Sequence, residues 1–346
     1  MSLRTSMARH RLELDRPFTI SRGTTATTET VSVTVQDEGG TEGVGAAAPS
    51  AHYGETADTV TAVLPELLEA VERVGDPLAL GQIERALAGT VGRNPAAKAA
   101  VSIACHDLAA KRLGLPLYRL WGEDPTRAPA TSFTVGIDEP DAMAEAAAEA
   151  VAAGHDILKI KLGTADDRAR LRAVREAVPE VRLRVDANEA WTPREAVRAT
   201  EWLADYGVTF VEQPVPASDR AGLQHVYERG ALPIAVDESV EVATDVSAVA
   251  DRADIIVVKL MKCGGLREAR RIVHTARAHD LEVMCGCMVE SNASIAAAWH
   301  LGPLLDYADL DGSLLLAEDP FEGIPLDGGT PDLAPLDRPG TGARER

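Results

Sequence analysis

Five short hydrophobic runs in this chain each end in a charged residue, and their spacing is nearly constant. They read Ile157-Leu-Lys159-Ile-Lys161, Leu183-Arg-Val-Asp186-Ala-Asn188, Phe210-Val-Glu212-Gln-Pro214, Ala235-Val-Asp237-Glu238 and Ile256-Val-Val-Lys259-Leu-Met-Lys262. The steps from Lys161 to Asp186, Glu212, Asp237 and Lys259 are 25, 26, 25 and 22 residues, the length of one strand plus one helix. A repeat of that kind builds parallel strands whose C-terminal ends gather at one mouth, where such barrels keep their chemistry. Three carboxylates gathered there require a cation, and the lysines on either side are placed to move protons. The pattern is that of an enzyme.

The rest of the chain fits around this repeat. Alternating strands are expected near 132–137, 157–162, 182–186, 209–212, 234–237, 255–260, 282–287 and 308–310, separated by amphipathic Ala- and Arg-rich helices. An open doubly wound sheet would carry a Gly-rich phosphate loop after its first strand, and none is present. Before the repeat lie two strands, 12–20 and 30–36, then helical patterns over 55–74, 80–87 and 95–113. Strands followed by a run of helices make an α+β module. The expected division is a capping domain over 1–125, a barrel over 126–319 and a Pro/Gly/Asp-rich tail over 320–346 that packs back on the capping domain.

Charge and composition narrow the class. With 35 basic and 54 acidic residues the net charge is −19, which argues against nucleic acid or an anionic membrane as partner. No apolar stretch of about 20 residues occurs, so no membrane span is expected. The start, Met1 to Met7, lacks the apolar core of a secretory leader. Cys105, Cys263, Cys285 and Cys287 are scattered, and Cys285-Gly-Cys287 has the wrong spacing for a zinc knuckle. The expected setting is the cytoplasm, with free thiols.

The charged strand ends carry the chemistry. A lone Asp after a strand is most often a helix cap, but Asp186, Glu212 and Asp237 stand in consecutive βα units with lysines on both sides. Oxygen-only ligands on one side of a site suit Mg2+, which leaves positions for substrate. Lys159 and Lys161, two apart on a strand, share one face. Burial and mutual repulsion are expected to lower their pKa values, so that one accepts a proton near neutral pH. Lys259 faces them from a strand opposite, while Lys262 reads as a loop residue beyond the strand end. Bases on two faces of a metal-held carboxylate invert a stereocentre.

Lys-x-Lys, then Asp, Glu, Asp and Lys on successive strands, resembles the enolase superfamily, and within it the muconate lactonizing enzyme subgroup. The resemblance spans nearly the whole chain. It implies a modified (β/α)8 barrel, TIM-like and of (β/α)7β form, with an N-terminal α+β capping domain. It also implies Mg2+ on Asp186, Glu212 and Asp237, with Lys161 and Lys259 as acid/base catalysts across an enediolate. Lys159 would assist Lys161 electrostatically, and the protein would be a homo-oligomer.

Substrate class turns on the eighth strand. Tyr307-Ala-Asp309-Leu-Asp311 places two carboxylates on one face, which resembles the pair holding the free α-ammonium in dipeptide epimerases. Arg22, in the loop Ser21-Arg-Gly-Thr-Thr25, resembles the arginine that takes a glutamate side chain in epimerases of Ala-Glu. Met288 and Glu290, after the seventh strand, match the substrate-lining loop of the subgroup. The expected substrate is a dipeptide, inverted at its C-terminal residue. N-acylamino acid racemase or o-succinylbenzoate synthase activity stays open, and would leave Asp309 and Asp311 without a task. In the second capping loop His52, Tyr53 and Glu55 either face substrate or cap the helix that follows.

Overall fold

The structure, a computed structural model, describes residues 2–334 and 338–346; residues 335–337 of the expected tail lie outside the described residues. Two alternating runs, the second rich in Thr and Val, form long strands, β1 (Arg4–Ile20) and β2 (Gly23–Gln36), paired antiparallel and joined by a turn of two residues at Ser21 and Arg22. Both are longer than the sequence pattern implies. A third strand, β3 (Glu42–Ala47), lies outside the expected strands. Its glycines have a packing reason. A Cβ on Gly43 would lie 2.1 Å from the Ala104 carbonyl, and one on Gly45 2.3 Å from that of Ala100. Both carbonyls belong to helix α3 (Pro95–Arg112), whose buried alanines let the sheet come this close. Helices α1 (Ala57–Val74) and α2 (Leu80–Thr90) complete the module.

Eight parallel strands follow: β4 (Phe133–Val135), β5 (Ile157–Lys161), β6 (Arg182–Asp186), β7 (Val208–Glu212), β8 (Ile234–Val236), β9 (Ile255–Val258), β10 (Glu282–Gly286) and β11 (Tyr307–Asp309). They pair in chain order, and the barrel closes where Thr131 bridges Ala308 and Ser132 N donates to Ala308 O at 3.1 Å. A helix follows each strand from β4 to β10, and none links β11 back to the start, giving the (β/α)7β form. Near-continuous burial along β5 to β9 fits strands covered on both faces.

Main-chain contact helps set the cap over the mouth. Ile137 N, beyond β4, donates to Thr19 O of β1 at 2.8 Å. Gly136 leaves room for that approach, since a Cβ there would meet Thr19 O at 3.1 Å. The C-terminal segment also reaches the cap: Leu117 N donates to Gly340 O, and Thr341 N to Asp107 Oδ1 of α3. Among the described residues no helix is long and apolar enough to cross a membrane.

Candidate active site

Strand register brings the charged ends to one level. Lys161 pairs with Asp186, and Asp186 pairs with Glu212, across β5, β6 and β7. Asp237 comes directly after β8, and Lys259 directly after β9. All are buried: Asp186 and Glu212 are 0% exposed, Asp237 1%, and Lys159, Lys161 and Lys259 2 to 7%. The expected strand 255–260 ends early, so Lys259 caps the one-turn helix Leu260–Cys263. Its backbone is still extended there (φ −131°, ψ 131°).

Hydrogen bonds and ion pairs fill in the geometry. Lys161 Nζ donates to Asp186 Oδ2 at 2.6 Å and to Asn188 Oδ1 at 3.2 Å. Lys159 Nζ stands between three acids, 2.7 Å from Glu212 Oε2, 2.7 Å from Asp309 Oδ2 and 3.1 Å from Asp186 Oδ2. Lys259 Nζ is 2.7 Å from Asp237 Oδ2, and Lys262 Nζ is 2.6 Å from Asp237 Oδ1. Lys262 is therefore not a loop lysine; it is buried on the turn of helix after β9.

These neighbours reverse one expectation. Burial disfavours the Lys159 ammonium, but Asp309, Glu212 and Asp186 outweigh it and hold its pKa well above the ordinary lysine value. Lys259 is likewise raised, with Asp237 overcoming burial. The sequence shows Lys159 and Lys161 close together; it does not show that three carboxylates, Asp186, Glu212 and Asp309, surround them.

The donor set suits a hard divalent cation. Burial, then Asp186, pushes the Glu212 carboxyl up to about 8, so this group is short of positive charge. Glu212 Oε1 is buried with no hydrogen-bond partner among the described residues. Asp186 and Asp237 are held well below the usual range, because Lys161 and Lys259 overcome burial. A second acidic group, His52, Glu189 and Glu238, brings one ligand atom of each within 4.8 Å of the others. Arg22 already supplies its cation, at 2.9 Å from Glu238 Oε1 and 3.3 Å from Glu189 Oε2.

A cavity of about 850 Å³ opens over these groups, lined by Lys159, Lys161, Lys259, Arg22, Met288, Asp309 and Asp311 among others. Asp309 is shared, taking Ser132 Oγ at 2.5 Å and Lys159 at 2.7 Å. Asp311 accepts from Thr134 N at 2.6 Å through Oδ2. Like Asp186, Glu212 and Asp237, Glu290 is not among the residues lining the cavity. It is buried, with Met288 N on Oε1 at 2.9 Å and Ser294 Oγ on Oε2, so it shapes the loop that presents Met288. Glu55 lines the cavity but caps α3, not the helix that follows it, accepting from Ala96 N and Ala97 N.

Several residues at the mouth escape sequence reading. Asn188, Glu189 and Gln213 follow the ends of β6 and β7 in the left-handed region, with φ of 44°, 68° and 36°. Such strain in non-glycine residues clusters at functional sites. Buried Gln213 joins two strand ends, its Oε1 taking Asp237 N at 2.9 Å and its Nε2 donating to Val215 O. A polar residue just after a strand-end acid was the available signal.

Known proteins resemble the chain over its full length. Residues 3–122 match the N-terminal domain of mandelate racemase/muconate lactonizing enzyme, and 142–344 match the enolase C-terminal domain-like family. The chain belongs to the mandelate racemase/muconate lactonizing enzyme family. It is 37% identical over 334 residues to an L-Ala-D/L-Glu epimerase of Bacteroides thetaiotaomicron, covering 96% of this chain and 85% of that protein. A dipeptide epimerase of Enterococcus faecalis, solved with Mg and L-Leu-L-Tyr, superposes with a TM-score of 0.93 at 36% identity over 99% of each chain. A substrate-liganded L-Ala-D/L-Glu epimerase of Bacillus subtilis gives 0.92 at 34% identity, over 99% of this chain and 98% of that one.

Proposed function

We propose that this member of the family is a Mg2+-dependent dipeptide epimerase of the Ala-Glu type, inverting the α-carbon of the C-terminal residue by 1,1-proton transfer. The observation that carries the reading is the placing of two lysines. Lys161 on β5 and Lys259 after β9 are four positions apart in an eight-strand order, hence on opposite walls of one cavity. Buried carboxylates stand behind both.

Asp186, Glu212 and Asp237 would hold the metal. When bound, Mg2+ supplies a Lewis acid that makes the α-proton of a carboxylate-bound substrate more acidic. The lysine acting as base takes that proton as the neutral amine, a form that a cation shared with Asp186 or Asp237 would favour over the ammonium held beside bare carboxylates, and the ammonium of the other delivers a proton to the opposite face. The reverse reaction exchanges their roles. Lys159, held by three acids, keeps its charge and acts as a fixed cation beside Lys161.

Asp309 and Asp311 receive the α-ammonium, with Asp311 carrying the larger share because Asp309 already pairs with Lys159. Arg22 reads the glutamate side chain from the capping turn, and Met288 faces the small N-terminal residue. Glu290 acts on the substrate through Met288, whose loop it shapes. The same reading takes residues 1–125 as cap, 126–319 as barrel and 320–346 as returning tail, in a cytoplasmic homo-oligomer.

Proton NMR in D2O with Mg2+ tests this. Loss of the C-terminal α-proton signal from L-Ala-L-Glu, and appearance of the epimer, is the expected result. Exchange of N-succinyl amino acids without exchange of any dipeptide would replace this reading with the N-acylamino acid racemase one.

A further inference from the structure

One buried cation has no part in the proton transfer just described. Lys262 lies three residues after Lys259 on the helix Leu260–Cys263, and both side chains reach Asp237. Its side chain is 0% exposed. Its ammonium donates twice to one residue, to the main-chain oxygen of Asp237 and to Asp237 Oδ1, the latter at 2.6 Å.

A donor that holds the backbone and the side chain of the same residue fixes that side chain's torsions. Asp237 N is meanwhile held by Gln213 Oε1 at 2.9 Å. Three of the polar atoms of Asp237 are thus pinned, and Oδ2 remains. It faces Lys259 Nζ at 2.7 Å without a directed hydrogen bond. Lys259 in turn lines the cavity.

We propose that Lys262 is a positioning residue, which takes Oδ1 of Asp237 so that Oδ2 alone is offered to the metal, beside Lys259. The inference rests on the Mg2+ site proposed above. It does not depend on which substrate is turned over. Removing one partner of a buried ion pair destabilises the fold whatever its task, so stability does not separate the two roles. Metal affinity does, since losing a partner that orients a metal ligand lowers it about 10- to 100-fold.

The test is Mg2+ titration calorimetry without dipeptide on the full chain, on Lys262→Met and on Lys262→Arg, with thermal unfolding measured alongside. Lys262→Met should bind Mg2+ about 10- to 100-fold more weakly than the unaltered chain. Lys262→Arg should fall between, because a longer forked donor cannot keep both contacts. If only one variant folds, it decides alone. Binding within about twofold of the unaltered chain, whatever the unfolding temperature does, would overturn the proposal and leave Lys262 a structural residue. Tighter binding would also overturn it, showing that its charge opposes the metal and orients nothing. An unaltered chain that binds Mg2+ but exchanges no dipeptide would sink the substrate reading and leave this test intact. One that binds no Mg2+ would sink the positioning role with the metal site.

Discussion

The barrel mouth and the capping turn that covers it hold their charges in opposite ways. At the mouth, Asp186, Glu212, Asp237 and the lysines sit on or just after buried strands, and their partners lie one or two strands away in fixed register. On the cap, Arg22 is 35% exposed at the tip of a hairpin, and it reaches Asn188 O at 3.2 Å across 166 residues of chain. Groups on rigid, desolvated elements can be held to the tolerance that proton transfer demands. Groups on a turn can vary with little cost to the fold. On the proposed reading, proton transfer belongs to the barrel and the choice of the glutamate side chain to the cap.

The largest effect tests the first half of that contrast. Lys161→Ala and Lys259→Ala should each lower epimerisation by about 10²- to 10⁴-fold, the usual worth of a positioned acid or base. Each should still exchange the α-proton of one epimer in D2O, and opposite epimers should survive in the two variants. Loss of both exchanges in either variant would break the picture of two independent faces.

The end of β11 lies between the two regions. Asp311→Asn should raise the dipeptide KM roughly ten- to hundredfold, as expected for a hydrogen bond to a charged group of about 1.5–3 kcal/mol. Burial, then Asp309, pushes the Asp311 carboxyl up to about 6. It is neutral below that pH and charged above it, so KM should fall as pH rises through about 6. The variant should lose that step. A pH profile identical in the two proteins would remove Asp311 from ammonium recognition.

Within the cap, packing can be tested apart from chemistry. Gly45→Ala would place a Cβ 2.3 Å from the Ala100 carbonyl, which belongs to helix backbone and cannot give way easily. A loss of about 1–3 kcal/mol is expected, read by denaturant unfolding. The smallest effect belongs to Arg22. Its ion pair with Glu238 is partly exposed and screened, worth about 0.2–1 kcal/mol. Arg22→Gln should lower kcat/KM for Ala-Glu a few-fold relative to Ala-Ala, with little change in unfolding. An equal loss for both dipeptides would assign Arg22 to loop closure and not to side-chain selection.

Particular residues show how far the sequence could be read. The period from Lys161 to Lys259 gave the βα repeat and the identity of the charged groups, because strand-end position is a local property. The strand β3 was missed because Gly43 and Gly45 look like loop residues until α3 is packed on them. Lys262 was misplaced, and the contacts of Glu290 were not legible, for a related reason. Side-chain direction beyond a strand end depends on a short turn of helix or a local hydrogen bond, here Met288 N to Glu290 and Lys262 to Asp237.

By itself, the sequence determined the parallel repeat, the acidic character and the residue types that gather at one mouth, since periodicity and strand alternation depend on neighbours in the chain. Only the tertiary structure decided which lysine meets which carboxylate and in which direction each pKa moves. It also decided that Asp309 is shared with Lys159 and that Arg22 leans on Glu189 and Glu238. Those outcomes depend on distances of a few ångströms between groups far apart in the chain, and on water being excluded from between them.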